Sequence, residues 1–266
     1  REQDYIQDQL NSKDVFFPED GCPIETIEVS DNITIIAIDT EWYLTDWNKR
    51  PDINDKCDIK TRNAFWLELE DKIKDSRQNT TILAMHHPMF SYGTHGGQYS
   101  LRSNFYPKGN IGPLPILGSV INVLRRTTGA SVEDMQNKRY VELRKRLLTL
   151  AQYSEKVVMV SGHEHTLQYI VEENTPQIVS GSGAKTGATR LLNGSKFSTG
   201  RRGYATLEVY TDGSSQVRYF GLDANKNEEF LFTSQVLPPA RTFFEEKYPE
   251  EFPATVRASV YSEEEI

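Results

Sequence analysis

A chain of 266 residues with 37% hydrophobic content can bury one substantial core, as a single large domain or a domain with appendages. Its formal charge of −8 and the lack of any basic stripe exclude a general nucleic-acid binder, because phosphate backbones are held by clustered Lys and Arg. No run of about 18 apolar residues occurs, so no segment reads as a membrane-spanning helix, and the opening REQDYIQDQL lacks the regions of a signal peptide. The chain opens on Arg1 rather than Met and reads as a fragment.

In chain order, IETIEVS and NITIIAIDT read as two strands joined by the turn Ser30-Asp31-Asn32, the second apolar enough to be buried on both faces. Asp39, at its end, reads as structural rather than as a ligand. From Thr61, an N-cap residue type, Phe65, Trp66, Leu69 and Ile73 recur at helical spacing and predict a helix covering a sheet. TTILAMH predicts a buried strand whose carboxyl end delivers His86 and His87, the end where ligands collect in open α/β sheets. Residues 91–130, with GTHGG, PKGNIGPLP and TTGA, read as a long irregular excursion. Ser131 with Asp134 resembles a capping box, and Tyr140, Leu143, Leu147 and Leu150 predict a second covering helix. KVVMVS is the next buried strand, ending at Gly162, a residue suited to a tight turn or to a close backbone approach to a metal or phosphate. LQYIVEE, PQIVSGSG, YATLEVYTD, SQVRYFGL and EEFLFTSQV follow as strands. The order β-α-β-loop-α-β, then antiparallel strands, gives an α/β domain over residues 1–236, with 237–266 as a linker or extension. Cys22 and Cys57 fit either one disulfide or two free thiols.

All five histidines fall in two places: His86, His87 and His95, then His163 and His165. Imidazole is the commonest neutral nitrogen ligand for Zn, Fe and Mn, and the period-two spacing of His163 and His165 can aim both side chains to one face. A lone histidine is usually structural, whereas clusters at two strand ends favour ligation. HEH is not the HExxH of zinc proteases, no G-x-S-x-G elbow is present, and GSGAK lacks the spacer and the Gly-Lys-Ser/Thr ending of a P-loop.

The strings AMHHPMFSYGTHGG and SGHEHTLQYIVEENTPQIVSGSG resemble the second half of a calcineurin-like metallophosphoesterase, most closely the purple, tartrate-resistant-type acid phosphatases. The resemblance implies the C-terminal half of a four-layer α/β/β/α sandwich and a phosphomonoesterase that uses a water activated by two metal ions of Fe, Zn or Mn type. Carried over by residue, it makes His86 and His163 ligands of one metal and His165 of the other. His95 becomes the catalytic residue beside the leaving-group or phosphate oxygen. His87 and Gln168 become supports that orient ligands, and Glu164 turns away from the metals.

The family's Asp-x-His, Gly-Asp and Gly-Asn-His elements are absent from this sequence, where Ile111 rather than His follows Gly109-Asn110. The resemblance therefore implies half a site, which by itself binds metal poorly and hydrolyses nothing. A fold-only binding or assembly module, or a phosphodiesterase, is the alternative. GCPIETIE, GPLPILGS and VRASVYSEEEI resemble a bacterial subgroup in which an exported domain precedes an outer-membrane β-barrel. That likeness implies a periplasmic or cell-surface location and an attached barrel, and it fits a Cys22–Cys57 bridge.

Overall fold

A computed structural model describes residues 2–48, 50, 57–99, 115–129, 131–154, 156–192 and 194–239. It contains helices α1 (Glu2–Leu10), α2 (Thr40–Leu44), α3 (Arg62–Asp75), α4 (Pro115–Thr128) and α5 (Lys138–Ala151). The strands are β1 (Ile24–Ser30), β2 (Ile33–Ile38), β3 (Thr80–Met85), β4 (Val157–Ser161), β5 (Leu167–Glu172), β6 (Thr175–Ser180), β7 (Ser195–Thr199), β8 (Gly203–Val209), β9 (Ser215–Leu222) and β10 (Glu228–Leu237). No helix among the described residues is long and apolar enough to cross a membrane.

The expected mixed α/β class is what the chain adopts. Seven strands form one sheet in the order β1-β2-β3-β4-β6-β5-β7, and three form a second in the order β10-β9-β8. In the large sheet β2, β3, β4 and β6 run parallel, with β1 antiparallel at one edge, while at the other β5 is antiparallel to β6 and β7 antiparallel to β5. Parallel strands need crossovers, and α3 and α5 supply surfaces that cover the sheet between them. Thr61 Oγ1 accepts from Ala64 N–H at 3.1 Å to start α3, and Phe65, Trp66, Leu69 and Ile73 are all buried as the spacing predicts. They join Tyr140, Leu143, Leu147 and Leu150 of α5, and Ile36, Ile38, Leu83 and Met85 of the sheet, in one core.

A second core lies where the sheets face one another, with Val158, Leu167, Tyr169 and Ile178 against Val217, Tyr219 and Leu237. Strand β9 alternates buried and partly buried residues along its length, the period-two pattern of a sheet with one face packed. Of the expected four layers, the described residues supply a helical layer and both sheets.

Three differences from the sequence reading bear on the site. Asp39 follows β2 and caps α2, accepting from Trp42 N–H at 3.0 Å, so a short helix absent from the sequence expectations starts there. Trp42, Tyr43 and Leu44 are each 1% exposed. Burying side chains of this size, about 1.5–3 kcal/mol each, makes the turn worthwhile. The capping box at Ser131 is not formed: Asn137 caps α5, accepting from Arg139 N–H at 3.0 Å, and Asp134 is buried elsewhere. The region 91–130 contains α4, and β7 forms from a segment not expected to be a strand. The linker expected at 237–266 begins after Leu237, which ends β10, and residues 240–266 lie outside the described residues. Cys22 and Cys57 form a disulfide that ties the segment before β1 to the segment before α3.

Candidate metal centre

Strands β3 and β4 are parallel neighbours in register, with Met85 beside Ser161. The residues that follow therefore emerge side by side at the carboxyl end of the sheet, where Gly162 N–H donates to the His86 carbonyl at 3.2 Å. This register brings the two histidine clusters together. His163 Nδ1 stands 3.2 Å from His86 Nε2, and the His163 ring lies 4.4 Å from that of His87 and 4.2 Å from that of His95. Gly162 is not the residue that makes the turn. The left-handed conformation falls on His163, at φ 59°, a conformation that costs a non-glycine residue of order 1–3 kcal/mol.

His163 and His87 each have a second partner. His163 Nε2 is 3.3 Å from the Glu133 carbonyl, which can only accept, so Nε2 carries the proton and the Nδ1 lone pair faces His86. His87, 2% exposed, has Nδ1 2.8 Å from Thr40 Oγ1, and its Nε2 is 4.0 Å from Glu41 Oε2. Burial, then the charges of His163 and the other histidines, holds the His87 pKa down at about 2. Burial, followed by the charges of His95 and His86, lowers His163 to about 3, and burial lowers His86 as well. These rings are neutral at ordinary pH and offer lone pairs.

Nitrogen atoms of His86, His87 and His163 all lie within 4.8 Å of one another, and this is the one such group of potential ligands among the described residues. Two nitrogens bound tetrahedrally to one ion at about 2.0–2.1 Å stand roughly 3.3 Å apart, close to the His86–His163 separation. The donor set thus fits a cation. No carboxylate belongs to that group, so the described residues do not form a bridged pair of ion positions.

His165 is exposed and outside the group, though its charge reaches both His86 and His163. Its carbonyl accepts from Gly187 N–H at 2.6 Å. His95 is carried by the turn after β3, with Nδ1 3.4 Å from Oδ1 of the fully buried Asp134.

The turn carrying His95 is held by three buried side chains that the sequence reading either passed over or assigned to other tasks. Glu164 Oε1 accepts from Ser91 Oγ at 2.9 Å, His95 N–H at 2.8 Å and Gly96 N–H at 3.1 Å. Gln168 Oε1 accepts from Tyr92 N–H at 2.9 Å, so it braces the turn rather than a histidine. Gln177 Oε1 accepts from Met89 and Phe90 N–H at 2.8 and 3.0 Å. A polar residue inside an otherwise apolar strand, as Gln177 is in TPQIVS, was the available signal.

No family model and no curated protein matches the chain. Among solved structures it is similar to GAP50, the anchor in the inner membrane complex of Plasmodium, with 18% identity and a TM-score of 0.50 over 83% of this chain and 54% of that one. It is also similar to the purple acid phosphatase PPD1 from yellow lupin (Lupinus luteus) seeds, with 15% identity and a TM-score of 0.43 over 83% of this chain and 36% of that one. The chain thus spans about half the length of the first and about a third of the second. At these identities the likeness is one of fold.

Proposed function

We propose that the chain carries the histidine-rich half of a metal-dependent phosphoester hydrolase of the acid-phosphatase kind. The observation that carries the reading is the meeting of His86 Nε2 and His163 Nδ1 at 3.2 Å on the ends of adjacent parallel strands, with the His95 ring against His163. His86 and His163 would hold one cation and His165 would serve a second, with oxygen ligands that this sequence does not contain. Bound there, such ions supply a Lewis acid and an activated water. With Nδ1 directed at Asp134, His95 delivers a proton from Nε2 to the departing alkoxide. Asp134 Oδ1 faces Nδ1 at 3.4 Å.

The Cys22–Cys57 bridge supports an oxidising compartment and hence the exported reading, with the attached outer-membrane barrel as its further part. The second reading, an assembly module, is favoured by the absence of a carboxylate from the imidazole group and by the likeness to a protein described as an anchor.

In the complete protein, His95→Ala should cut turnover of p-nitrophenyl phosphate about 100-fold or more while metal content is retained. Equal loss of both would remove His95 from the proton-transfer role. A complete, metal-loaded wild type that hydrolyses no phosphoester would leave the assembly reading standing.

A further inference from the structure

We infer that this chain alone forms a mononuclear cation site from His86, His87 and His163, with His87 as a true ligand whose tautomer is set by Thr40. The inference goes beyond the hydrolase reading, because it needs neither a second ion nor oxygen ligands from elsewhere, and it opposes the expectation that the chain by itself binds metal poorly.

The geometry of the outer partners carries it. A ligating histidine donates its other ring N–H to a carboxylate, a backbone carbonyl or water, which fixes both tautomer and ring plane. His163 meets this condition, with Nε2–H on the Glu133 carbonyl and Nδ1 turned to the cluster. At His87 a hydroxyl takes that place. Thr40 Oγ1, fully buried, lies 2.8 Å from His87 Nδ1 and already accepts from the His87 backbone N–H at 3.2 Å. Acting as acceptor for Nδ1–H as well, it leaves the lone pair on His87 Nε2, and an ion bound there selects that tautomer.

The position of Thr40 is itself determined by the fold. Asp39 caps α2, which sets Thr40 as its first residue beside the end of β3. Tyr140 packs edge-on against the His87 ring at 5.6 Å and donates to the Pro88 carbonyl at 2.6 Å. A buried histidine serving only as filler needs no partner group within 4.8 Å on each of two other imidazoles. Three histidine nitrogens are the protein donor set of a zinc-type site.

The test is Zn²⁺ titration of the 266-residue chain by calorimetry, with Co²⁺ absorption reporting coordination number. One equivalent of Zn²⁺ with a four-coordinate Co²⁺ spectrum is expected. His87→Ala should weaken Zn²⁺ by about 100-fold or more, and Thr40→Val by about 10- to 100-fold, with Thr40→Ser restoring the wild-type affinity. Should His87→Ala fail to fold, the Val and Ser variants at position 40 decide the matter. Wild-type affinity in both His87→Ala and Thr40→Val, loss of Zn²⁺ in His165→Ala alone, or no Zn²⁺ binding by the chain would each overturn the inference. Of these, loss through His165 would still agree with the two-metal hydrolase, so the two readings fail separately.

Discussion

Replacing Glu164 with Ala should release the turn that carries His95 while leaving the sheets intact. The side chain is 2% exposed, and its Oε1 accepts from Ser91 Oγ, His95 N–H and Gly96 N–H at 2.8–3.1 Å. Ser91 Oγ still accepts from Gly93 N–H and Gln168 Nε2, but its own proton and the His95 and Gly96 N–H groups lose the acceptor they share. An orphaned buried donor costs about 1–3 kcal/mol, so three give about 3–9 kcal/mol. Water entering the vacated space satisfies part of this, and we expect a net loss of about 3 kcal/mol, or a drop in Tm of roughly 6–12 °C for a domain of this size. Urea unfolding followed by tryptophan fluorescence measures the first quantity. Amide exchange measures the locality: His95 and Gly96 should lose protection while Val158 and Met159 in β4 keep theirs. A stability loss below about 1 kcal/mol, or unchanged exchange at His95 and Gly96, would refute the view that this carboxylate holds the turn.

A Cβ at Gly93 would lie 2.3 Å from Glu164 Oε2, so Gly93→Ala should cost about 1–3 kcal/mol by overpacking, and less when Glu164 is already Ala; an additive double mutant in the same urea assay would contradict the contact. Cys22→Ser with Cys57→Ser opens a link across 35 residues, for which the chain-entropy relation gives about 4 kcal/mol, and unfolding with and without reductant should show the loss only in the wild type. Asn137→Ala should destabilise by about 1 kcal/mol as the cap of α5, whereas Ser131→Ala should cost clearly less; the reverse order in thermal melts would restore the capping box at Ser131.

The elements legible in the sequence are those whose burial pattern is regular. Helix α3 follows from Thr61, Phe65, Trp66, Leu69 and Ile73 because a cap and a stripe at helical spacing are local signals. Helix α2 was hidden, since TEWYL supplies only five residues and follows an apolar strand without a glycine or proline to mark the change. Its existence depends on tertiary burial, in which Trp42 stacks on Phe65 with centroids 5.7 Å apart and Tyr43 meets Trp66 edge-on at 5.2 Å. The apparent capping box at Ser131 failed for the same reason. Asp134 satisfies the motif's spacing, but its carboxylate lies fully buried beside His95, and the helix starts where Asn137 can serve instead.

At the site, the sequence made the histidines visible as two clusters but not their pairing, because His86 and His163 are 77 residues apart and meet only through the β3–β4 register. The residue it marked for the turn was Gly162, one position early. A Cβ at Gly162 would find only His86 Nδ1, at 3.8 Å, an ordinary contact, so nothing in the space around it demands glycine. The demanding conformation belongs to His163, where a glycine would relieve the strain but remove the imidazole. A side chain kept at such a position has to be worth the strain, and here it faces His86 with its tautomer fixed by the Glu133 carbonyl. The strain at His163 and the outer partner of the same ring are independent observations. Both point to that nitrogen as the one around which the centre is built, and they do so whether one cation or two complete it.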